Sequence, residues 1–408
     1  MFTRFTPNLM KRFSHTSAAP VSSIHDHLLK ISWTADWDSK YHYVWLRDNC
    51  QCPQCIHPTT RQKLHSSAHV PLDIKPTKIE WSVDKRNIKI SWPESVDTLN
   101  VLSRAHQSEF DAAWLKANCY TQKLGSRLLN DHQHVLWDKK MVQSKDLWVN
   151  YADIMQSATV DQKEPQLYRM LSLLQQYGLV FIRGVPTNDT EVEKVALRIG
   201  PIRETFYGRS WDVKSVANAK NIAYTSLFLG LHMDLMYFES PPGLQFLHCL
   251  EASVAGGDSI FLDSYRAIDR FKSAHPDAFQ TLVHTPVTFH YRNSGHYLRF
   301  RRPMIEVDDD NQPLQVYYAP PFQGPLEVEP DRVRAFYDAF SKLDGFMEDR
   351  EHVFEYRLQP GDCVVFANRR VLHGRLAFNS TTGQRHLKGT YVDWDAMKDR
   401  LSVLRSIQ

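Results

Sequence analysis

The sequence predicts a mainly β protein with flanking helices, in which a small β-rich N-terminal domain precedes a larger double-stranded β-helix (jelly roll) domain. Three observations predict this arrangement. Short apolar runs separated by turns recur along the chain, three cysteines crowd together near the N-terminus, and a His-x-Asp pair is followed far downstream by another histidine. Candidate ligands at two widely separated points among many short strands are typical of a jelly roll of the cupin kind.

The composition is that of a globular protein and argues against two classes of partner. At 408 residues the chain exceeds one average domain, so a large domain with a smaller one is expected. The net charge of +3 is small beside 49 Lys and Arg and 46 Asp and Glu. Nucleic acid is therefore not an expected partner. No apolar run is long enough to cross a membrane, so no membrane partner is expected either.

The N-terminal segment 1–24 differs from the rest of the chain. It contains Arg4, Lys11 and Arg12 with several Ser and Thr, and the first acidic residue is Asp26. A basic, hydroxyl-rich and acid-free segment is typical of a mitochondrial transit peptide. We therefore expect import into the mitochondrial matrix. The alternative is a disordered basic tail on a cytoplasmic protein.

Residues 25–125 predict the small β-rich domain. Ile79–Val83 alternates apolar and polar residues, and a polar turn separates it from Ile88–Trp92. This pattern predicts a β-hairpin. Tyr43–Leu46 is strand-like in composition, and Ser108–Lys116 has apolar residues at helical spacing.

Cys50, Cys52 and Cys55 indicate a metal site in this domain. Three thiolates this close can wrap one Zn²⁺, which takes four ligands in structural sites. Clustered thiols in a chain with only six cysteines favour metal over disulfides. The alternative is three reduced cysteines without metal. The spacing leaves the fourth ligand open among four histidines: His57, His65, His69 and His106.

Residues 126–160 are expected to connect this domain to the catalytic domain at 161–408. Pro165–Tyr177 carries apolar residues at helical spacing, and Leu179–Ile182 predicts a buried strand. Thr190–Ile199 predicts a second amphipathic helix. Short strands and loops then alternate to the end of the chain, which favours a sheet-based domain.

His232, Asp234 and His373 form the pattern of a 2-His-1-carboxylate iron site. Two imidazoles and one carboxylate hold Fe(II) on one face and leave positions open on the other. Residues two apart on a strand point to the same side, so His232 and Asp234 can converge on one ion. A surface or core His–Asp pair is the simpler alternative. The Gly- and Pro-rich turns that follow Asp234, and the apolar strand that precedes His373, favour iron.

Two further features accompany this pattern. Arg385 follows His373 by twelve residues and offers a planar fork suited to a carboxylate of 2-oxoglutarate. Electron-rich rings near a metal site can box a quaternary ammonium ion, at roughly 0.5–2 kcal/mol per favourable contact. Taken alone, such aromatics are more often part of a core than of a cage. The aromatic residues concerned are Tyr207, Trp211, Tyr224 and Tyr391.

Together these segments resemble the γ-butyrobetaine dioxygenase family, in the broader group that includes trimethyllysine dioxygenase and taurine dioxygenase. The resemblance covers about residues 30 to 405. The matching segments, in family order, are 45–55, 104–110, 205–208, 223–225, 232–234, 241–243, 372–375 and 385–395.

The resemblance implies a role for each candidate residue. His232, Asp234 and His373 would bind Fe(II), and Arg385 would hold the co-substrate 2-oxoglutarate. Among the four histidines it selects His106 as the fourth zinc ligand. It also implies a homodimer, with ascorbate as the reductant. The trimethylammonium cage would consist of Tyr207, Trp211, Tyr224 and Tyr391, with Asn221 at the polar end of the substrate.

The function that the resemblance implies is an oxidoreductase of carnitine biosynthesis. It would use dioxygen and 2-oxoglutarate to hydroxylate γ-butyrobetaine to L-carnitine, with release of succinate and CO₂. Two alternatives stay open. One is the same chemistry on trimethyllysine or on another amino or sulfonic acid. The other is a zinc-stabilised binding protein whose dioxygenase fold is inactive.

Overall fold

The computed structural model describes residues 20–93, 105–121, 134–156, 163–215 and 225–407. The chain divides into two units, Met1–Asp131 and His132–Gln408. Residues 1–19 of the expected leader lie outside the described residues. Its last residues, Val21–Ile24, form a strand paired with Leu28–Thr34, so the first folded unit begins inside the segment expected as a leader.

The first unit contains two three-stranded antiparallel sheets and two short helices. The first sheet has the order β1-β2-β3 and the second β4-β5-β6. The strands are β1 Val21–Ile24, β2 Leu28–Thr34, β3 Trp37–His42, β4 Lys78–Trp81, β5 Asn87–Trp92 and β6 His106–Asp111. The helices are α1 Tyr43–Asp48 and α2 Ala112–Ala117.

The predicted hairpin forms, because β4 and β5 pair with Ile79 opposite Ile90. Along β5 the buried residues are Ile88, Ile90 and Trp92, the period of two that a half-buried strand requires. These side chains pack with residues of β2, β3 and α1 into one apolar cluster.

Two secondary-structure expectations in this unit are wrong. Tyr43–Leu46 lies in helix α1, which buries Tyr43, Leu46 and Arg47. That spacing of three and four residues suits a helix, and burial there outweighs the strand propensity of Tyr, Val and Trp. Ser108 lies in β6, and the helix begins only after Asp111, whose Oδ1 accepts from the backbone N–H of Ala113 (2.7 Å). A side-chain cap of this kind sets where a helix starts.

The second unit contains two main sheets and eight helices among its described residues. The main-sheet strands are β7 Trp148–Asn150, β8 Leu179–Arg183, β9 Trp211–Lys214, β10 Leu229–His232, β11 Leu244–Ala252, β13 Ser259–Asp263, β18 Phe354–Tyr356, β19 Cys363–Ala367, β20 Val371–Arg375 and β22 Arg385–Val392. The shorter pairs are β12 Ala255–Gly256 with β21 Phe378–Asn379, β14 Pro286–Asn293 with β15 His296–Pro303, and β16 Ile305–Val307 with β17 Pro313–Val316. The helices are α3 Lys139–Ser144, α4 Tyr151–Ile154, α5 Pro165–Tyr177, α6 Glu191–Ile199, α7 Ser264–Ala274, α8 Pro276–His284, α9 Pro330–Met347 and α10 Trp394–Ser406.

The two main sheets form the predicted jelly roll. The larger sheet has the order β7-β8-β19-β11-β22-β9 and the smaller β10-β20-β13-β18. Phe181 and Phe366 of the larger sheet pack with Phe261 and Val371 of the smaller one, so an apolar layer lies between the sheets. Helices α5, α6 and α10 cover the other face of the larger sheet. The mainly β fold with flanking helices is confirmed.

The early helices and strand of this unit also form where the sequence predicts them. Helix α5 buries Leu167, Met170, Leu171 and Leu174, and β8 buries four consecutive residues. Residues 134–156 fall in the segment expected as a connector, yet they carry α3, β7 and α4. Strand β7 pairs in parallel with β8, so this stretch belongs to the larger sheet. No helix in the described part of the chain is long and apolar enough to cross a membrane.

A buried ion pair joins β13 to the turn before β20. Arg370 donates from Nε to Asp263 Oδ1 (2.9 Å) and from a terminal nitrogen to Oδ2 (2.8 Å). It also donates to the carbonyl oxygens of Gln176 (2.7 Å) and Val135 (2.8 Å). Asp263 is fully buried and Arg370 nearly so. The pair therefore ties β13, α5 and the segment before α3 together.

We predict that Arg370→Met lowers the free energy of unfolding by about 3–5 kcal/mol, because it leaves the Asp263 carboxylate buried without its partner. Chemical denaturation of the full chain measures this change. The control is Arg299→Met, which breaks the exposed pair with Glu327 and should cost no more than about 1 kcal/mol. Equal losses in the two variants would contradict the structural role of the buried pair.

Candidate active site and zinc site

Strand pairing brings the two predicted histidine ligands together. Strand β10 ends at His232, and β20 carries His373 at its centre. The two strands are antiparallel, with His232 directly opposite His373. Residues directly opposite each other in an antiparallel pair present their side chains on one face. The two imidazole centroids are accordingly 4.4 Å apart.

Asp234 completes the group just beyond the end of β10. One carboxylate oxygen lies 3.4 Å from His232 Nε2, and the other lies 3.9 Å from His373 Nε2. The candidate ligand atoms of all three residues lie within 4.8 Å of one another. Two imidazole nitrogens and one carboxylate at this spacing fit a single Fe(II).

Neighbouring backbone and side chains orient these ligands. The Nδ1 of His232 lies 2.9 Å from the carbonyl oxygen of Gly230. An Nδ1–H that donates to this carbonyl leaves Nε2 with a free lone pair toward Asp234. The side-chain amide of Asn368 accepts from the backbone N–H of Asp234 (2.8 Å) and donates to its carbonyl oxygen (2.9 Å). Asn368 was missed by sequence reasoning, because only the fold places it beside Asp234.

Burial sets the protonation states of the ligands. Burial, followed by the neighbouring His232, lowers the pKa of His373 to about 3. Burial by itself raises the pKa of Asp234, but the adjacent imidazoles of His232 and His373 hold that pKa below its usual value. At neutral pH His373 is therefore neutral and Asp234 ionised, the forms in which these residues bind metal.

The three residues open onto a pocket with an empty volume of about 800 Å³. Arg385 lines it from β22, is 8% exposed, and donates from Nε to the carbonyl oxygen of Gly257 (3.1 Å). Burial, with the charge of Arg375, lowers the pKa of Arg385 to about 10, so the guanidinium stays charged at neutral pH. Within the described ranges no carboxylate lies within 4 Å of it. A buried cation of this kind fits a carboxylate of 2-oxoglutarate.

A second guanidinium lines the same pocket. Arg375, at the end of β20, is buried and donates to the carbonyl oxygens of Thr225 (2.8 Å) and Leu227 (2.6 Å). Burial lowers its pKa to about 10. Sequence reasoning gave Arg375 no role, although a charged residue two positions after the predicted ligand His373 is a signal that could have marked it.

Aromatic rings form one wall of the pocket. The ring centroid of Trp211 lies 4.2 Å from that of Tyr391 and 6.1 Å from that of Tyr207, and all three residues line the pocket. The predicted cage residue Tyr224 and the predicted polar contact Asn221 lie outside the described residues.

Two pocket aromatics were missed by sequence reasoning. Tyr237 and Phe322 also line the pocket, with ring centroids 5.2 Å apart. Tyr237 lies three residues after Asp234, and this closeness to a predicted metal ligand could have marked it as a pocket residue. Phe322 is distant in sequence, and only the fold brings it to the site.

Tyr391 has a second contact in addition to its ring stacking. Its hydroxyl donates to Asp234 Oδ2 at 2.7 Å. Burial, together with the charge of Asp234, raises the pKa of Tyr391 well above its usual value. The hydroxyl therefore stays protonated and remains a donor.

A glycine lets the indole of Trp211 lie against the sheet. Gly389 of β22 is paired directly with Trp211 of β9. A Cβ atom at position 389 would come within 2.6 Å of the indole ring, far inside van der Waals contact. The position of the indole in the pocket wall therefore depends on the absence of a side chain at residue 389.

The four predicted zinc ligands lie together in the first unit. His106 Nε2 lies 3.2 Å from Cys50 Sγ, 3.6 Å from Cys52 Sγ and 3.5 Å from Cys55 Sγ. Arg47 donates to Cys55 Sγ (3.3 Å), which favours the thiolate form. His106, the first residue of β6, is the histidine that the described structure places with the thiols. A Cys₃His group of this size fits a structural zinc site.

Comparison with known proteins identifies the family. Residues 153–391 match the family model described as "Taurine catabolism dioxygenase TauD, TfdA family", and residues 22–101 match "Gamma-butyrobetaine hydroxylase-like, N-terminal". The first match alone spans more than half of the chain. The chain belongs to the TauD, TfdA family. This TauD/TfdA-family protein is a 2-oxoglutarate-dependent dioxygenase.

Three relatives are similar to this dioxygenase over nearly their whole length. Dioxygenase str8 of Strobilurus tenacellus is 37% identical, over 97% of this chain and 91% of the relative. The gamma-butyrobetaine dioxygenase of Homo sapiens is 32% identical, over 93% of this chain and 95% of the relative. The mitochondrial trimethyllysine dioxygenase of Rattus norvegicus is 30% identical, over 96% of this chain and 89% of the relative.

We predict that Gly389→Ala displaces the Trp211 indole and destabilises the protein by about 1–3 kcal/mol, the usual cost of overpacking a tight site. Near-UV circular dichroism and thermal unfolding measure the two effects. The control is Gly345→Ala in helix α9, where an added Cβ meets nothing within 4 Å. That variant should keep the wild-type near-UV spectrum and should not have a lower unfolding temperature than the wild type. An unchanged spectrum in Gly389→Ala would contradict the close packing of the indole.

Proposed function

We propose that this dioxygenase hydroxylates γ-butyrobetaine to L-carnitine. The observation that carries the proposal is the composition of one pocket. It combines the group of His232, Asp234 and His373, the buried guanidinium of Arg385, and a wall of aromatic rings. A metal group, an anion anchor and a cation cage are what an oxygenase of a trimethylammonium acid requires.

In this proposal His232, Asp234 and His373 hold Fe(II), and Arg385 pairs with a carboxylate of 2-oxoglutarate. When bound, the metal and co-substrate supply the oxidising chemistry, in which dioxygen is consumed and succinate and CO₂ are released. The protein orients the reacting groups and limits the access of water, because His232, His373 and Arg385 are all less than 10% exposed. No side chain needs to act as an acid or a base.

The aromatic wall suits a trimethylammonium group. Such a cation has no N–H to donate, so it is recognised by ring faces rather than by hydrogen bonds. Tyr207, Trp211 and Tyr391 offer such faces, at roughly 0.5–2 kcal/mol for each favourable contact. We propose that Tyr224 and Asn221 also contact the substrate, as the family resemblance implies.

The relatives support this substrate and one alternative. The human relative is a gamma-butyrobetaine dioxygenase and the rat relative a trimethyllysine dioxygenase. Trimethyllysine has the same trimethylammonium group and is therefore the second candidate, ahead of other amino or sulfonic acids. The inactive binding protein is not retained, since the chain belongs to a dioxygenase family and its described residues assemble the metal group.

We also propose that Cys50, Cys52, Cys55 and His106 bind a structural Zn²⁺. Four protein ligands leave no position for a substrate. The proposal further includes a mitochondrial matrix location, which the basic segment before Asp26 and the mitochondrial rat relative support. Homodimerisation and ascorbate as reductant are carried over from the family resemblance.

The decisive test is turnover by the purified full chain with Fe(II), 2-oxoglutarate and ascorbate. γ-Butyrobetaine and trimethyllysine are supplied in separate reactions, and mass spectrometry measures the oxygenated product and succinate. We expect oxygenated γ-butyrobetaine and succinate in equal amounts. The control Asp234→Ala should produce neither, because it removes a metal ligand. Oxygenation of trimethyllysine alone would overturn the proposed substrate.

We predict that Cys52→Ser removes zinc from the purified protein and lowers the unfolding temperature, since structural zinc contributes directly to folding. Elemental mass spectrometry measures the metal content. Cys119→Ser is the control, because Cys119 is a buried thiol of the same unit that lies outside the Cys₃His group. Cys119→Ser should retain one zinc per chain. Stoichiometric zinc in Cys52→Ser would contradict the site.

A further inference from the structure

One side chain belongs to both the aromatic wall and the metal group. The Tyr391 ring lies 4.2 Å, centroid to centroid, from the indole of Trp211. Its hydroxyl donates to Asp234 Oδ2 at 2.7 Å. Tyr391 is 1% exposed, so water does not compete for that hydrogen bond. A hydrogen bond from a hydroxyl to an ionised carboxylate is also stronger than one between neutral groups.

The contact leaves the Asp234 carboxylate little freedom to rotate. Its Oδ2 is held by Tyr391, while Oδ1 lies 3.4 Å from His232 Nε2. The backbone of Asp234 is held separately, at both its N–H and its carbonyl, by Asn368. Tyr391 therefore supplies the side-chain contact from the larger sheet, whereas both histidines lie on the smaller sheet.

The Tyr391 ring is itself held in place. Tyr391 pairs with Gln245 across β22 and β11, and its carbonyl oxygen accepts from the backbone N–H of Arg203 (2.9 Å). Trp211, packed over Gly389, lies against the ring. A phenol fixed by its backbone and by ring packing can orient a carboxylate, because its own hydroxyl has a defined position.

We propose that Tyr391 is a positioning residue of the metal site, which orients Asp234 through its hydroxyl while its ring forms part of the cation subsite. The metal and the substrate cation are then linked through one side chain. A cation that shifts the ring also shifts the carboxylate and so changes the affinity for the metal. By thermodynamic linkage, the bound metal changes the affinity for the cation by the same factor. The hydroxyl's role rests on geometry alone; the ring's role rests on the proposed function.

The test is titration of the full chain, loaded with zinc but free of iron, with Co(II) alone, followed by its visible absorption. We expect Tyr391→Phe to bind Co(II) about 10- to 100-fold more weakly than wild type, the usual cost of losing a contact that orients a metal ligand. The control is Tyr318→Phe. It deletes an equally buried hydroxyl that donates to a carboxylate elsewhere, Asp344 Oδ1 (2.6 Å), and should bind Co(II) like wild type.

A general loss of stability is distinguished by thermal unfolding of both variants in the zinc-loaded, iron-free form. If both lose similar stability and only Tyr391→Phe loses Co(II) affinity, the hydroxyl positions the metal ligand. Wild-type Co(II) affinity in Tyr391→Phe would overturn the inference. As a second measurement, tetramethylammonium should change the Co(II) spectrum of the wild type; an unchanged spectrum would overturn the linkage between the two subsites.

The outcome is independent of the substrate identity. The Co(II) titration contains neither substrate nor co-substrate, so a failure to oxygenate γ-butyrobetaine leaves it unaffected. With whichever substrate the enzyme turns over, Tyr391→Phe keeps the ring and should lower kcat more than it raises KM. A raised KM with unchanged kcat would assign Tyr391 to the cation subsite alone.

Discussion

The active site depends on the register in which β10 pairs with β20. That register places His232 opposite His373, and Asp234 follows where the chain leaves the strand. A slip of one residue would turn one histidine to the other face of the sheet and separate the pair. Because β20 also pairs with β13, both edges of the strand that carries His373 are hydrogen-bonded. His373 is therefore held on a strand paired on both sides, whereas Asp234 lies in the turn that follows β10.

The charges of the pocket explain why it needs anionic ligands. Arg375 and Arg385 are both buried at its edge, and Asp234 is the carboxylate that accompanies them in the pocket lining. Buried charges are costly unless they are paired. Arg385 has no carboxylate within 4 Å among the described residues, so it leaves positive charge that a carboxylate of the co-substrate can neutralise. The pocket is thus matched to a carboxylate of its co-substrate.

The larger sheet contributes the supporting contacts rather than the histidine ligands. Arg385, Gly389 and Tyr391 are separated by even numbers of residues along β22. They therefore lie on the same face of the strand, the face toward the pocket. Arg385 offers the anion anchor, Gly389 admits the Trp211 indole, and Tyr391 reaches across to Asp234. One strand of the larger sheet therefore connects the co-substrate anchor, the aromatic wall and the metal group.

The sequence by itself determined which residues are the candidate ligands, because metal chemistry restricts ligands to a few residue types at characteristic spacings. His232, Asp234, His373 and the three clustered cysteines could be named in this way, and so could the jelly roll. Local pattern was misleading at Tyr43–Leu46, where burial of one side made a helix from strand-forming residues. Only the tertiary structure showed the roles of Asn368, Phe322 and the Tyr391 hydroxyl. Each acts on a residue far away along the chain, and no local sequence pattern encodes such a contact.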